Sequence, residues 1–210
     1  FWVFESGNKS LLIIGTNNAI HYQEVFPLIQ DNKLWLGATC NNEDMVFAVP
    51  EGAEVSPSDK KKAEKMGFVG NYTRLGNSCW FTNLEHGRRH QWIPLMTLSD
   101  NIKFSKHNNI RENGYQKYIN YDAIEVPYVD AIPLDYGGDM GVPVTFMDKY
   151  CPEQFIIIGT EAIVRESMDK YAIKGEYNPG GNVLYIEDTN PDAQYKYKAV
   201  YKRIIIRRKL

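Results

Sequence analysis

The sequence predicts an α/β fold over about residues 1–84 and a mixed α+β lobe over residues 85–210. In the first part, short apolar runs end at turn residues, as buried strands do, and an apolar stripe at helical spacing lies between the first two runs. That β-α-β order is typical of α/β proteins. Beyond Glu85 the apolar segments shorten and Asn, Tyr and Pro recur, which predicts a less regular lobe.

The strands of the first part are expected to share one sheet. Leu11–Ile14 is wholly apolar and stops at Gly15, which is typical of a fully buried strand in a parallel sheet. Residues 51–70 carry a run of lysines and few large apolar side chains, so they predict a solvated insertion. The remaining strands are predicted at Leu34–Leu36, Met45–Val49 and Cys79–Leu84.

The helix between the first two strands has a clear start and a weak point. Thr16, Asn17 and Asn18 can cap its N-terminus. Pro27 lies inside the apolar stripe and should bend or shorten the helix. The stripe itself consists of Ile20, Val25, Leu28 and Ile29.

The second lobe is predicted to contain short strands and two helices. The helices are expected around residues 113–118 and 146–150. The strands are expected at Ala123–Val126, Phe155–Ile158, Val183–Ile186 and Ala199–Ile206.

Composition limits the function classes. The 210 residues carry a formal net charge of −2, so overall charge gives no argument for nucleic acid. The distribution is uneven, because residues 85–118 hold six Lys/Arg against three Asp/Glu, whereas residues 119–162 hold one against eight. Cys40, Cys79 and Cys151 are too far apart for metal-ligand spacing, and no apolar stretch is long enough to span a membrane. A cytoplasmic protein without a metal is expected.

A basic segment follows the last strand of the first part. His86, Arg88, Arg89 and His90 lie close together after a predicted strand, and arginine suits phosphates and guanine edges. This segment could therefore contact nucleic acid. Two other interpretations stay open: the arginines are solvated surface charges, or one pairs with Glu85. Two histidines without further ligands do not predict zinc.

A group of acids raises a different possibility. Asp122, Glu125 and Asp130 resemble a nuclease acid cluster, but Pro127 occupies the position where such enzymes often place a lysine. Nuclease chemistry is therefore not predicted. Asp122 and Asp130 are instead expected to bound turns, and Glu125 to form an ion pair.

An ordered series of segments resembles the C-terminal part of the EcoRI-type adenine-specific DNA methyltransferases. The resemblance covers nearly the whole chain and is weakest at about 50–75 and 160–198. In the N-terminal part the matching segments are Leu12–Ile20, Phe26–Ile29 and Leu34–Gly37. Later segments are Trp80–Arg89, Pro94–Met96, Ser99–His107, Tyr115–Tyr118, Asn120–Pro127, Asp130–Pro133, Met140–Pro143, Asp148–Phe155 and Tyr201–Arg203.

The resemblance implies a reaction whose main motifs are absent from this sequence. Family members transfer a methyl group from S-adenosylmethionine to the exocyclic amine of adenine, and they need a Gly-rich cofactor loop and an Asn/Asp-Pro-Pro-Phe/Tyr motif. The sequence contains no Pro-Pro pair, and Asp135–Gly141 is typical of a cluster of turns rather than a phosphate-binding loop. A C-terminal portion is therefore expected, which alone neither binds S-adenosylmethionine nor methylates DNA.

The resemblance also implies roles for the two parts of the chain. Residues 1–84 would complete a Rossmann-like methyltransferase sheet, with Trp80 or Phe81 as candidates to line the pocket of the flipped base or to pack in the core. Residues 85–210 would recognise double-stranded DNA, and a cognate restriction endonuclease is a candidate partner. A non-catalytic DNA-binding module is the alternative function. The aromatic residues Phe104 and Tyr115 lie among the further expected DNA contacts, which are Lys103, Lys106, His107, Arg111 and Lys117. The alternative is an ordinary amphipathic surface, with the two aromatic residues packed in the core.

Overall fold

The computed structural model describes residues 9–38 and 44–209. The chain divides into two compact units, Phe1–His86 and Gly87–Leu210. Both contain helices and strands, which agrees with the mixed α/β composition predicted from the sequence. Cys79 and Cys151 are buried thiols, as expected for small apolar residues, whereas Cys40 lies outside the described residues.

The first unit contains two small antiparallel sheets. A three-stranded sheet has the order β1-β5-β2, and a two-stranded sheet pairs β3 with β4. The strands are β1 Leu12–Thr16, β2 Trp35–Leu36, β3 Met45–Ala48, β4 Tyr72–Leu75 and β5 Ser78–Thr82. The helices are α1 Phe26–Gln30 and α2 Pro57–Lys65, with a 3₁₀ helix at Asn17–His21.

Two predictions for this unit are wrong. The strand predicted at Met45–Val49 does not share a sheet with the other three, because β3 pairs with β4 instead. β1 is also neither parallel nor fully buried: it runs antiparallel to β5, and its Leu12 and Ile14 are 56% and 41% exposed. An apolar run indicates a strand but does not reveal its direction or its place at a sheet edge.

The connections of the first unit follow their local chemistry. Thr16 Oγ1 accepts a hydrogen bond from Asn18 N at 3.4 Å, at the start of the 3₁₀ helix. Pro27 lies in the first turn of α1, where its missing N–H costs no hydrogen bond, and the predicted single helix becomes two short helical segments. The lysine-rich insertion forms α2, which starts at Pro57 and buries only Ala63.

The second unit is built on a mixed four-stranded sheet and a two-stranded hairpin. The sheet order is β6-β7-β11-β8, in which β6 is parallel to β7 and β11 is antiparallel to both of its neighbours. The strands are β6 Ala123–Glu125, β7 Asp139–Pro143, β8 Phe155–Thr160, β9 Leu184–Glu187, β10 Tyr197–Val200 and β11 Arg203–Arg208. The helices are α3 Leu98–Phe104, α4 Asn108–Asn113 and α5 Glu161–Val164, with 3₁₀ helices at Gly87–His90, Val129–Ala131, Val144–Lys149 and Met168–Lys170.

The core of this unit lies on the central strand. Ile204, Ile205 and Ile206 of β11 are completely buried. On the neighbouring strand, Phe155 meets Phe146 edge to face, with ring centroids 5.2 Å apart. A second cluster joins this sheet to the β9-β10 hairpin and consists of Tyr118, Ala123, Leu184, Ile186, Val200 and Ile205.

The strand predictions for this unit are confirmed at three places and altered at the fourth. The runs at Ala123–Val126, Phe155–Ile158 and Val183–Ile186 form β6, β8 and β9. The run predicted as one strand at Ala199–Ile206 is two strands, because the chain turns at Lys202 with φ +55°. The Glu161 carboxylate stabilises this turn by accepting the N–H groups of Lys202 and Arg203, each at 2.9 Å.

The helix predictions for this unit are partly wrong. Residues 113–118 are not helical, since α4 ends at Asn113 and Gly114 takes φ +64°. Lys117 instead forms an isolated bridge with Ile124. The helix expected around 146–150 is the 3₁₀ segment Val144–Lys149.

Candidate nucleic-acid interface

The basic segment after β5 is compact rather than extended. In the first unit, His86 Nε2 lies 2.8 Å from Leu36 O, and Trp35 Nε1 donates to Leu84 O at 3.0 Å. In the second unit, the 3₁₀ turn at Gly87–His90 leaves Arg88 half-buried and His90 exposed. Arg89 is only 8% exposed, so its burial does not favour a contact with a DNA surface.

His90 belongs to a chain of polar groups. Its Nδ1 lies 2.8 Å from Glu153 Oε1, and Glu153 Oε2 accepts a hydrogen bond from Cys151 Sγ at 3.0 Å. The bond from Cys151, followed by that from His90, lowers the pKa of Glu153 to about 2. Burial and then this carboxylate raise the pKa of the Cys151 thiol, which keeps it protonated. The chain therefore positions His90 and does not create a nucleophile.

A group of exposed cations lies at α3, α4 and the turn between them. Lys103, Lys106 and Arg111 are all exposed. Phe104 is 71% exposed, so the interpretation of this aromatic as a core residue is wrong. Tyr115 is partly buried, and its hydroxyl donates to Ala131 O at 2.5 Å. Cations beside an exposed aromatic ring provide both charge and a stacking surface.

Asp130 organises the turn between the two helices. Lys106 Nζ and His107 Nε2 lie 2.6 and 2.8 Å from its two carboxylate oxygens. Burial alone would raise the pKa of Asp130, but the hydrogen bonds from Lys106 and then His107 outweigh it and hold the pKa below its usual range. The His107 ring stacks on Tyr128, with centroids 3.6 Å apart and planes within 2°. The imidazole is thus fixed by a carboxylate and an aromatic ring.

Arg111 braces the same turn. Its guanidinium donates to Ser105 O and to Asn108 Oδ1. Lys117 lies beyond α4 and is exposed. The structure therefore brings four of the sequence-predicted residues together around one helix pair, namely Lys103, Lys106, His107 and Arg111.

Glu125 forms an ion pair, as interpreted from the sequence. Arg203 Nη2 lies 2.5 Å from Glu125 Oε1, and the Tyr118 hydroxyl donates to Oε2. Burial alone would lower the pKa of Arg203, but the hydrogen bond to Glu125, the Glu125 charge and the interactions with Tyr118 together outweigh it and raise the pKa. Burial, followed by the Glu125 charge, raises the pKa of Tyr118 well above its usual range. Asp122 is exposed, and the described residues contain no group of three or more acids, histidines or cysteines placed to hold a metal ion.

The sequence analysis missed the partner of Glu125 and a second cluster of a tyrosine, a carboxylate and an arginine. Arg203 lies 78 positions beyond Glu125, and no local pattern connects them. Along the same sheet, Tyr121 donates to Asp139 Oδ2 at 2.6 Å, and Arg207 Nε donates to Oδ1 at 2.6 Å. The spacing of Arg203 and Arg207 on β11 is the only sequence signal for this pair of clusters.

The two base-pocket candidates on β5 have different environments. Phe81 is 2% exposed and packs in the core, where a Cβ on Gly15 would meet its ring at 2.9 Å. Trp80 is half-buried, so part of its ring remains accessible. Of the two interpretations offered for these residues, core packing is therefore the one observed for Phe81.

The comparisons with known proteins define the class. The sequence profile of the family described as "Adenine-specific methyltransferase EcoRI" matches residues 3–209. The chain therefore belongs to the EcoRI-type family of adenine-specific methyltransferases.

The individual relatives agree with this assignment. The chain is 41% identical over 152 residues to the type II methyltransferase M.EcoRI of Escherichia coli, which covers 72% of this chain and 43% of that protein. It is 29% identical over 203 residues to M.MpnI of Mycoplasma pneumoniae, which covers 96% and 57%. It is 36% identical over 152 residues to M.MgeORF184P of Mycoplasma genitalium, which covers 72% and 44%. The chain thus spans about half the length of these curated relatives. No solved structure matches it significantly.

Among the described residues, no helix combines the length and the apolar character needed to cross a lipid bilayer.

Proposed function

We propose that this chain is the C-terminal portion of an S-adenosylmethionine-dependent DNA methyltransferase that modifies the N6 amine of adenine in a restriction-modification system. The family assignment and the similarity to type II methyltransferases support this proposal. The target amine lies within the base stack, so the adenine must leave the duplex before it reacts. In this proposal the unit Gly87–Leu210 contributes to recognition of double-stranded DNA.

The observation that carries the recognition role is the exposed surface at α3 and α4. Its cations are available to neutralise phosphates, and the exposed ring of Phe104 offers a stacking surface. Asp130 holds Lys106 and His107 in place, so less side-chain entropy is lost when these groups bind. Phosphate contacts of this kind position a protein on DNA but do not read its sequence.

The recognition role is tested by measuring the affinity of the chain for duplex DNA at several salt concentrations. Lys106→Ala should weaken binding to all sequences alike and reduce the salt slope by about one unit. Lys170→Ala is a matched control, because Lys170 is similarly exposed and is also paired with a carboxylate, that of Glu166. Equal affinity of the wild type and Lys106→Ala at every salt concentration would remove this surface from the DNA contact.

The remaining residues predicted from the sequence to contact DNA are given different roles in the proposal. Arg88, His90 and Lys117 retain enough exposure to reach DNA phosphates. Arg89, being buried, is proposed to support the 3₁₀ turn that presents Arg88. His86 is proposed to position the end of the first unit through Leu36 rather than to bind DNA alone.

The catalytic part of the proposal concerns the whole enzyme. S-adenosylmethionine would bind to residues that precede those of this sequence, and Trp80 would be the candidate of the two to touch the flipped base. The first unit would complete a Rossmann-like sheet by adding its antiparallel strands, since mixed sheets commonly carry an antiparallel strand at the edge of a parallel sheet. Transfer of a radioactive methyl group to adenine-containing duplex tests the activity, and we expect none from these 210 residues alone. Incorporation by this chain would overturn that expectation.

A non-catalytic DNA-binding module is the alternative function. It requires the same surface at α3 and α4 but no cofactor or catalytic motif in the parent gene. A reading frame that continues upstream into both motifs would favour the enzyme, and a frame without them would favour the module. Under the enzyme proposal, the protein acts in the cytoplasm with a cognate restriction endonuclease as a partner.

A further inference from the structure

We propose that an amide pair on α4, formed by Asn109 and Asn113, reads an adenine that remains stacked in the DNA duplex. This proposal rests on the DNA-binding function proposed above and deepens it, because it names the base that the recognition unit distinguishes. The adenine concerned is not the one that leaves the stack to be methylated.

The two asparagines are linked and still accessible. They are four positions apart on α4, and Asn113 Nδ2 donates to Asn109 Oδ1 at 2.9 Å. Both side chains are exposed. The bond leaves Asn109 Nδ2 as a donor and Asn113 Oδ1 as an acceptor, on residues that share one face of the helix. Exchanging N and O in both amides would again leave one donor and one acceptor, so the pattern does not depend on how the amides are assigned.

One donor beside one acceptor matches adenine in the major groove. Adenine presents the acceptor N7 next to the donor N6–H₂, whereas guanine presents two acceptors, N7 and O6. The acceptor of the amide pair would face O6 of guanine without a hydrogen, which disfavours that base. A linked pair is also more rigid than a single asparagine, so less rotamer freedom is lost on binding.

The pair also lines an open cavity. Asn109 and Asn113 line an open cavity of about 310 Å³, together with Gln116, Lys198 and Arg203. Arg203 is held by Glu125 and does not compete for the base. Lys198, with a 45% exposed side chain, also lines the cavity, and its Nζ lies 3.5 Å from Asp188 Oδ1. Arg111, between the two asparagines in sequence, belongs to the proposed phosphate-binding surface, so one helix would hold both kinds of contact.

The test uses this chain, a duplex sequence selected by it from a randomised pool, and adenine analogues. Replacing each adenine in turn by 7-deazaadenine removes the N7 acceptor and keeps the base pair. The wild type should bind more weakly when one particular adenine is replaced. Loss of the whole two-bond contact corresponds to an affinity about 5- to 150-fold lower. The double variant Asn109→Ala/Asn113→Ala should bind the unmodified duplex more weakly by a similar factor and should no longer respond to the analogue.

Controls separate the outcomes. Gln194→Ala removes an exposed amide that does not line the cavity and should behave as the wild type. Circular dichroism reports whether each variant folds. If the double variant binds every duplex as the wild type does, or weakens all of them equally, the adenine contact is wrong while the DNA-binding function stands. If the wild type binds no duplex, the proposed function fails, and this inference with it.

Discussion

Replacement of Arg203 should show how strongly the buried ion pair of the second unit depends on both partners. The side chains of Arg203 and Glu125 are only 17% and 8% exposed. Arg203 Nε lies 3.1 and 3.0 Å from the two carboxylate oxygens, and Nη1 donates to Tyr201 O at 3.1 Å. Without the guanidinium, the Glu125 carboxylate would keep only the Tyr118 hydroxyl as a donor.

The expected cost follows from this uncompensated charge. Removing one partner of a buried pair costs about 3–5 kcal/mol. Arg203→Met retains an apolar stem of similar length, so most of the loss should come from the charge rather than from a cavity. For a chain of this size, that loss corresponds to a fall of roughly 6–20 °C in Tm. The free energy of unfolding is obtained from urea denaturation followed by circular dichroism.

Two further variants make the reasoning refutable. Lys170→Met removes an ion pair that is exposed on both sides, that to Glu166 with side chains 64% and 47% exposed, so we expect no measurable loss. Arg203→Met/Glu125→Gln removes the stranded charge and should recover part of the loss seen for Arg203→Met alone. If Arg203→Met costs no more than Lys170→Met, the carboxylate of Glu125 is not desolvated and the argument fails.

Three other predictions concern stability. Gly141→Ala should lower the free energy of unfolding by about 1–3 kcal/mol, because a Cβ there would meet ring carbons of Tyr118 at 2.8 Å. Thermal melting measures this loss, and an unchanged Tm would show that the ring moves freely. Lys202→Gly should leave stability unchanged or raise it by up to about 1 kcal/mol, because Lys202 has φ +55°; a clear loss in urea denaturation would mean that its side chain matters more than its backbone. The pKa of Asp130 is lowered in the folded state, so the stability it contributes is complete above the unfolded pKa of about 4 and is lost as pH falls through the folded pKa. Urea denaturation from pH 7 to pH 2 should therefore show that Asp130→Asn has a lower free energy of unfolding than the wild type, and that this difference disappears only in acid. A difference that disappears near neutral pH would contradict this.

The sequence predicted strands where apolar side chains run together. Phe155–Ile158 lies in a strand because its apolar residues pack on the centre of the unit, where Phe155 is completely buried. The same signal could not show that the run at Ala199–Ile206 is broken. Lys202 adopts a conformation that lysine seldom takes, and it does so because the distant Glu161 accepts the two N–H groups at the turn.

The candidate interface was predicted in composition but not in arrangement. Basic residues of the stretch from Lys103 to Arg111 could be identified by charge alone. Their geometry depends on Asp130, which the sequence suggested only as a residue bounding a turn. The burial of Arg89 and the exposure of Phe104 were likewise not predictable, because both depend on tertiary packing rather than on local pattern.

The exposed strand β1 has a practical consequence for handling the protein. Leu12, Ile13 and Ile14 are 56%, 39% and 41% exposed on a strand that, among the described residues, pairs only with β5. An apolar strand with unpaired backbone groups is a template for adding a further strand from any chain that meets it. Preparations of this chain alone should therefore form larger particles as concentration rises, visible in light scattering. A lysine at position 13 would place a charge on that strand and keep the molecules apart.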